Sequence, residues 1–145
     1  MTSKKTSILN RDGEPPAPAP KADDAVALGI ERPWRIALVI PRYRVELIIN
    51  LTGELMVGRV DPRHAIQPDI DLRPFGAEEQ GVSRQHLFFR LEGDSVVVVD
   101  NKSSNGTWLN GTQLEPNRAY PLHHRDSLVL GGLETQVEML INPLD

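Results

Sequence analysis

Short runs rich in β-branched and other apolar residues begin after residue 33. Runs at 35–40, 44–50 and 54–59 are separated by Pro41 and by a Leu-Thr-Gly segment, which favours a meander of three strands. Further strands are expected at 87–91, 96–99, 107–109, 113–114, 127–130 and 134–141. Because Asn-Gly, Gly-Gly and Glu-Gly-Asp turn signals separate these short runs, the pattern predicts an all-β fold, a two-sheet β-sandwich.

The segment that precedes this pattern has a different composition. Residues 10–33 are rich in proline, alanine and charge, and the four prolines between 15 and 20 nearly alternate with alanine. Such a segment buries little apolar surface and is typical of extended chain. We therefore expect a disordered Pro/Ala-rich tail over 1–33 and one folded domain over 34–145, which is long enough for its own hydrophobic core.

Composition and charge narrow the possible functions. The chain has no cysteine and a net charge of −4, so it offers no disulfide or thiolate, and bulk nucleic-acid binding is not expected. No apolar run reaches the roughly 18 residues of a membrane span, and a cytoplasmic protein is expected. Twelve of the 16 basic residues are arginine, whose planar guanidinium suits bidentate binding of an oxyanion. We therefore expect an anion to bind at a small cluster of residues rather than over a broad positive surface.

Three short motifs carry the candidate chemistry: GR ending at Arg59, SRQH beginning at Ser83, and SNGTWLNG beginning at Ser104. A phosphate monoester is close to doubly charged, so a receptor for it needs a fixed cation and several neutral donors. Arg59, at a strand end, can supply the cation. Ser83 can supply a hydroxyl and its backbone N–H, and Ser104 a second hydroxyl. The motifs therefore predict a phosphate bound on loops between strands.

Taken in this order and over residues 34–140, the motifs resemble those of forkhead-associated (FHA) domains, which are phosphothreonine-binding β-sandwiches. The resemblance is to a small bacterial-type single-domain member with about eleven strands. It implies a phosphothreonine-dependent adaptor in Ser/Thr kinase signalling, with no catalytic activity, cofactor or metal. The implied partner is a phosphothreonine-containing protein, such as a Ser/Thr kinase or its substrate.

The resemblance also implies roles for individual residues. The residues that would bind the phosphopeptide are Arg59, Ser83, Arg84, Ser104 and Asn105. Those that would support the site without touching the ligand are Gly58, His86, Gly106, Thr107, Asn110 and Gly111. In this reading Asn105 binds the peptide backbone beside the phosphothreonine, and His86 is buried and ties the Ser83 loop to its neighbours. Trp108 is expected in the core.

Two departures from the family pattern stand out. The connection over residues 60–81 contains three prolines and two glycines and is longer than in many FHA domains. Because strands anchor both of its ends, we expect it to leave the phosphate residues in place, to line the ligand groove and to affect selectivity. Arg125-Asp126 stands where the family usually has Gly-Asp, in the turn before the penultimate strand.

An enzyme or a metalloprotein is not expected from the remaining motifs. Ser83 and His86 lie three residues apart at the start of one strand, and no nucleophile elbow accompanies them, so a triad with Asp100 is disfavoured. His123 and His124 are adjacent, and neighbouring residues of a strand point to opposite faces, so they do not form a metal pair.

Two further possibilities stay open. The FHA-like fold could serve as a phosphate-independent interaction or assembly module. Alternatively, the tail could fold back: Thr2 and Thr6 lie near two lysines, and phosphorylation of either would create an intramolecular ligand at high effective concentration.

Overall fold

The computed structural model describes residues 34–142 and folds them into eleven strands. These are β1 (Trp34–Ile40), β2 (Val45–Leu51), β3 (Glu54–Gly58), β4 (Ile70–Asp71), β5 (Leu87–Glu92), β6 (Ser95–Asp100), β7 (Thr107–Leu109), β8 (Thr112–Gln113), β9 (Ala119–Pro121), β10 (Asp126–Leu130) and β11 (Leu133–Ile141). One sheet has the order β2-β1-β11-β10-β7-β8, and the other β4-β3-β5-β6-β9. The all-β two-sheet sandwich is confirmed. The predicted tail, with Thr2 and Thr6, lies outside the described residues.

The core lies between the two sheets. In β1, every second residue points into it, so Ile36, Leu38 and Ile40 are buried together, as the two-residue period of a strand requires. The opposite sheet contributes Phe89 and Val98, both fully buried. Across residues 34–142 no helix is long and apolar enough to cross a membrane.

The structure contains two strands that the hydrophobic pattern did not indicate, β4 and β9. β4 lies inside the long connection and pairs in parallel with the end of β3. Two aspartates hold it there: Asp69 accepts the backbone N–H of Met56 at 2.9 Å, and Asp71 accepts that of Val60 at 2.9 Å. Strands of two or three residues are too short to show an alternation, and side-chain acceptors replace part of the ladder in β4.

The prediction that Trp108 enters the core is wrong. On β7 its neighbour Thr107 is fully buried and Leu109 packs against the core, so Trp108 points to the opposite face and is half-buried. A Cβ at Gly106 would lie 3.0 Å from the Trp108 ring. The indole therefore lies over the turn that precedes β7.

Two turns of the six-stranded sheet, one between β7 and β8 and one before β10, contain residues with left-handed backbone. Asn110 and Gly111, with φ of 50° and 85°, form the turn between β7 and β8, as the paired positive φ of a tight hairpin turn requires. The Asn110 amide also contacts the start of β10, donating to Asp126 Oδ1 at 3.0 Å and accepting from Ser127 N at 2.9 Å. Arg125, where the family usually has glycine, keeps the glycine-type backbone with φ of 70°.

Candidate functional site

Three loops meet at one end of the sandwich and bring the predicted phosphate residues together. Arg59 directly follows β3, and its Nε donates to the carbonyl oxygen of Val82 at 2.8 Å. The next residue, Ser83, accepts the backbone N–H of Ser104 on its Oγ at 3.1 Å. The Ser83 hydroxyl therefore contacts the backbone of the loop that carries Ser104, and an arginine is bonded to the residue that precedes Ser83.

The remaining two predicted ligand residues belong to the same cluster of loops. Asn105 donates from Nδ2 to the carbonyl oxygen of Gly81 at 2.9 Å, which links the β6–β7 loop to the segment before Ser83. Arg84 follows Ser83 and lines an open depression shared with Ser83 and Ser104. All five residues that the sequence indicated for ligand binding thus lie on adjoining loops.

Gly58 allows the end of β3 to pack directly on the Ser83–Arg84 backbone. A Cβ at Gly58 would lie 2.0 Å from the carbonyl oxygen of Arg84 and 2.8 Å from that of Ser83. Real Cβ atoms do not approach backbone atoms this closely, so a glycine is required here for steric reasons rather than for its dihedral freedom. This contact sets the distance between Arg59 and the Ser83 loop.

His86 is buried and connects the loop that carries Ser83 with the loop that carries Gly106. Its ring is fully buried, with Nδ1 accepting the backbone N–H of Ser83 at 2.9 Å and Nε2 lying 3.0 Å from the carbonyl oxygen of Gly106. Because Nδ1 accepts, the proton lies on Nε2, which donates to Gly106.

These two hydrogen bonds revise one interpretation of the sequence and agree with another. The backbone N–H of Ser83 is already donated to His86, so the hydroxyl is the group that Ser83 presents outward. In addition, both ring nitrogens of His86 are engaged with backbone groups. Neither is positioned to take a proton from Ser83 Oγ, which argues directly against a Ser-His-Asp triad.

The buried imidazole predicts a pH dependence of stability. Burial lowers the pKa of His86, partly opposed by the Gly106 carbonyl and the charge of Asp100. Since the folded-state pKa lies below the unfolded value of 6.5, the unfolded chain binds the extra proton, and stability is lost as the pH falls below that value. We expect a slope of up to about 1.4 kcal/mol per pH unit in denaturant titrations.

The matched variants for this prediction are His86→Gln and His123→Gln. The first removes the buried imidazole, so the drop in unfolding free energy between pH 7.5 and 5.5 should shrink. The second removes a histidine whose side chain is 77% exposed, and it should keep the wild-type slope. Equal slopes for His86→Gln and the wild type would contradict the assignment.

Asp100 fixes the β6–β7 loop and was missed as a structural residue by the sequence analysis. Its carboxylate is buried and accepts from the hydroxyls of Ser103 and Thr107 at 2.5 and 2.6 Å, and from the backbone N–H of Ser103 at 3.2 Å. A buried charge requires such saturation. The sequence signal that could have indicated this role is an aspartate at the end of an apolar strand, followed by serine and threonine residues.

A second cluster at the site centres on Asp61. Arg63 donates to both of its carboxylate oxygens at 3.0 Å, and these hydrogen bonds hold the pKa of Asp61 well below its usual range. The Arg84 guanidinium lies 3.9 Å from the same carboxylate. Sequence analysis did not indicate this cluster, because its members come from two loops and follow no spacing motif.

The depression beside Ser83 and Ser104 has a volume of about 270 Å³. Arg84 and Lys102 line it, and the long connection contributes His64 and Ile66 as a wall. Part of residues 60–81 therefore lies beside Ser83 and Ser104.

Comparison with known proteins agrees with this geometry. The family model of the FHA domain matches residues 55–131, just over half of the chain. The chain is 30% identical over 134 residues to the glycogen accumulation regulator GarA of Mycolicibacterium smegmatis, which covers 90% of this chain and 78% of GarA. It is 39% identical over 84 residues to the protein FraH of Nostoc sp., covering 57% of this chain but only 29% of FraH.

Among solved structures, the N-terminal FHA domain of Rad53p from S. cerevisiae, in complex with a phosphothreonine peptide, is similar with a TM-score of 0.57. The identity is 20%, and the match covers 73% of this chain and 94% of that one, which shows a shared fold. The family match, the GarA similarity and the arrangement of the three motifs agree: this chain is a member of the FHA domain family.

Proposed function

We propose that this protein is a non-catalytic adaptor that binds phosphothreonine in a partner protein, in Ser/Thr kinase signalling and in the cytoplasm. The observation that carries the proposal is the pairing of Ser83 with Ser104 across two loops at 3.1 Å, beside an arginine bonded to Val82. This pairing supports a site in which one phosphate contacts both serines and the arginine. The FHA domain is an interaction module, and that of Rad53p was solved with a phosphothreonine peptide.

Each side chain has a distinct part in holding the phosphate. Arg59 uses Nε for Val82, which orients its two terminal nitrogens for bidentate donation to phosphate oxygens. Ser83 Oγ accepts from Ser104, so its own proton is directed elsewhere and can be donated to the ligand. The Ser104 hydroxyl adds a further neutral donor. Arg84, which is 44% exposed, adds a second cation.

Asn105 is suited to bind the peptide rather than the phosphate. Its Nδ2 donates to Gly81, which fixes the plane of the amide while the group still has a second N–H and a carbonyl oxygen. A donor and an acceptor in one fixed plane match the N–H and C=O groups of an extended peptide backbone. Phosphate recognition and backbone recognition would therefore come from adjacent residues of one loop.

Titration of the chain with a degenerate phosphothreonine peptide pool and its unphosphorylated twin tests this function. Several charge-assisted hydrogen bonds of about 1.5–3 kcal/mol each, opposed by the cost of ordering a flexible peptide, give an expected dissociation constant on the order of micromolar. A matched phosphoserine pool should bind more weakly, as the family resemblance implies. Equal binding of the phosphorylated and unphosphorylated pools would instead support the phosphate-independent interaction module.

A further inference from the structure

One of the four sheet edges differs from the other three. The edge strands are β2 and β8 in the six-stranded sheet and β4 and β9 in the other. β4 and β8 have two residues each, and β9 has three and contains Pro121. Edges that are short or contain proline offer little backbone to another chain. β2 has seven residues, so within residues 34–142 it is the one long edge.

β2 lacks the features that usually protect an edge strand from pairing. Its sequence, VELIINL, contains no proline or lysine and has one charged residue, Glu46. Its ladder with β1 runs over all seven residues without a bulge. A strand of this kind presents a regular row of backbone N–H and C=O groups, which another strand can bind.

The two faces of β2 carry different side chains. On the core side lie four apolar residues, Val45, Leu47, Ile49 and Leu51. On the outer side lie Glu46, Ile48 and Asn50, as the two-residue period of a strand requires. The Asn50 amide is oriented, because its Oδ1 accepts from Arg35 Nε at 3.0 Å. Its Nδ2 makes no hydrogen bond with residues 34–142 and is available to an acceptor.

We propose that β2 pairs with β2 of a second copy of this chain, in an antiparallel register centred on Ile48. In this register Ile48 lies opposite its own counterpart, and Glu46 lies opposite Asn50 of the second copy. A carboxylate therefore faces an amide donor on the outer side, twice because of the two-fold symmetry. On the core side only apolar residues meet, since the remaining pairs are Val45 with Leu51 and Leu47 with Ile49.

This self-complementarity is the reason to assign the edge to a second copy. Core-facing residues must meet core-facing residues if the two sheets are to be continuous. The register centred on Ile48 satisfies this condition and pairs all seven residues of both strands. A register centred on Glu46 brings two carboxylates opposite each other, and one centred on Leu47 or Ile49 separates Glu46 from Asn50.

The pairing uses none of the loops that carry the candidate phosphate site. β2 begins at the end of the sandwich where that site lies, because β1 ends beside the start of β11 and Gly131, just before β11, donates its N–H to Gly106. In an antiparallel pair the two sites therefore lie at opposite ends of the dimer. Such a dimer would join two phosphorylated partners, a consequence that rests on the proposed function, whereas the dimer itself does not.

Sedimentation velocity of the full chain at concentrations from about 1 to 300 µM tests the dimer. One pair of seven-residue strands is at the small end of specific interfaces, so we expect a dissociation constant on the order of 10 µM. Hydrogen exchange gives a second measurement. The β2 amides directed away from β1 should exchange at least about tenfold more slowly in the dimer, because only there are they hydrogen-bonded to a strand.

Charge substitutions at position 48 test the register. Ile48→Lys and Ile48→Glu each place like charges opposite each other at the two-fold axis, so each should weaken dimerisation at least about tenfold. An equimolar mixture of the two should restore a heterodimer, because opposite charges then face each other. Glu46→Lys, at an exposed position, should also weaken the dimer. Val129→Lys, on the outer face of the inner strand β10, is the matched control and should keep wild-type dimerisation.

The outcomes separate the possible occupants of this edge. A wild type that stays monomeric overturns the inference, as does a dimer that both position-48 variants retain or a mixture that fails to restore it. Protection of all seven β2 amides in a monomer would assign the edge to residues 1–33 of the same chain instead. The proposed function is tested separately, since Ile48→Lys should keep a wild-type circular dichroism spectrum and bind the phosphothreonine pool within about twofold of the wild type.

Discussion

Replacing Arg59 with alanine is expected to lower the affinity for a phosphothreonine peptide by at least about 100-fold. The side chain would donate two charge-assisted hydrogen bonds to the phosphate, each worth about 1.5–3 kcal/mol, and 1.4 kcal/mol is a factor of ten in affinity. The variant would also leave a doubly charged group desolvated without its main cation. Isothermal titration with the best peptide from the pool measures the loss directly.

The structure suggests two matched controls for this experiment. Arg59→Lys keeps the charge but loses the guanidinium fork and the Nε bond to Val82, so its affinity should lie between those of the wild type and the alanine variant. Arg90→Ala removes an arginine that pairs with Glu54 and Glu92, and it should change affinity less than about twofold. Undiminished binding by Arg59→Ala would exclude the proposed phosphate site.

Arg59→Ala should remain folded, which separates its effect from a general loss of structure. The variant loses one partly buried hydrogen bond to the Val82 carbonyl, a cost of about 1 kcal/mol in unfolding free energy. A denaturant titration of the same protein sample provides this check. A much larger loss of stability would mean that Arg59 acts mainly in the scaffold.

Gly58→Ala is expected to produce the largest loss of stability among single methyl additions at this site, about 3 kcal/mol or more. The new Cβ would lie 2.0 Å from the carbonyl oxygen of Arg84 and 2.6 Å from its carbonyl carbon. Both are backbone atoms, so rotation of a side chain does not relieve the clash. The Ser83–Arg84 segment must move away from β3, and phosphopeptide affinity should fall together with stability.

Gly53→Ala is the matched control for this prediction. Gly53 precedes the opposite end of the same strand, β3, and a Cβ there would have no heavy atom within 4 Å. Its backbone is also outside the positive-φ region. Alanine should therefore be neutral or stabilise by up to about 1 kcal/mol by restricting the unfolded chain. Chemical denaturation of both variants tests the contrast, and a similar small change in each would contradict the steric interpretation.

The fold was largely predictable because its information is local. Short β-branched and apolar runs, separated by Asn-Gly, Gly-Gly and Glu-Gly-Asp turns, indicated nine strands at nearly the positions that the structure shows. β4 and β9 were missed because strands of two or three residues carry no periodic signal and because, unlike β7 and β8, they have no Asn-Gly turn beside them. The position of Trp108 was also mispredicted, since hydrophobicity favoured the core while the pleat of β7 assigns the inward positions to Thr107 and Leu109.

The sequence by itself determined the two-sheet architecture and the types of residue available for an anion: one arginine after β3, and a serine in each of two later loops. Strand periodicity, turn chemistry and residue type are properties of neighbouring residues, so they can be read along the chain.

Only the tertiary structure decided how these groups face one another. In the folded chain the Ser83 N–H donates to His86, and the Ser104 N–H donates to the Ser83 hydroxyl. Lys102 lies beside them and has no partner among residues 34–142. The bond between Ser104 and Ser83 joins residues 21 apart in sequence, and the bond between His86 and Gly106 joins residues 20 apart; both depend on how the packed core orients the strand ends. No local pattern encodes that geometry.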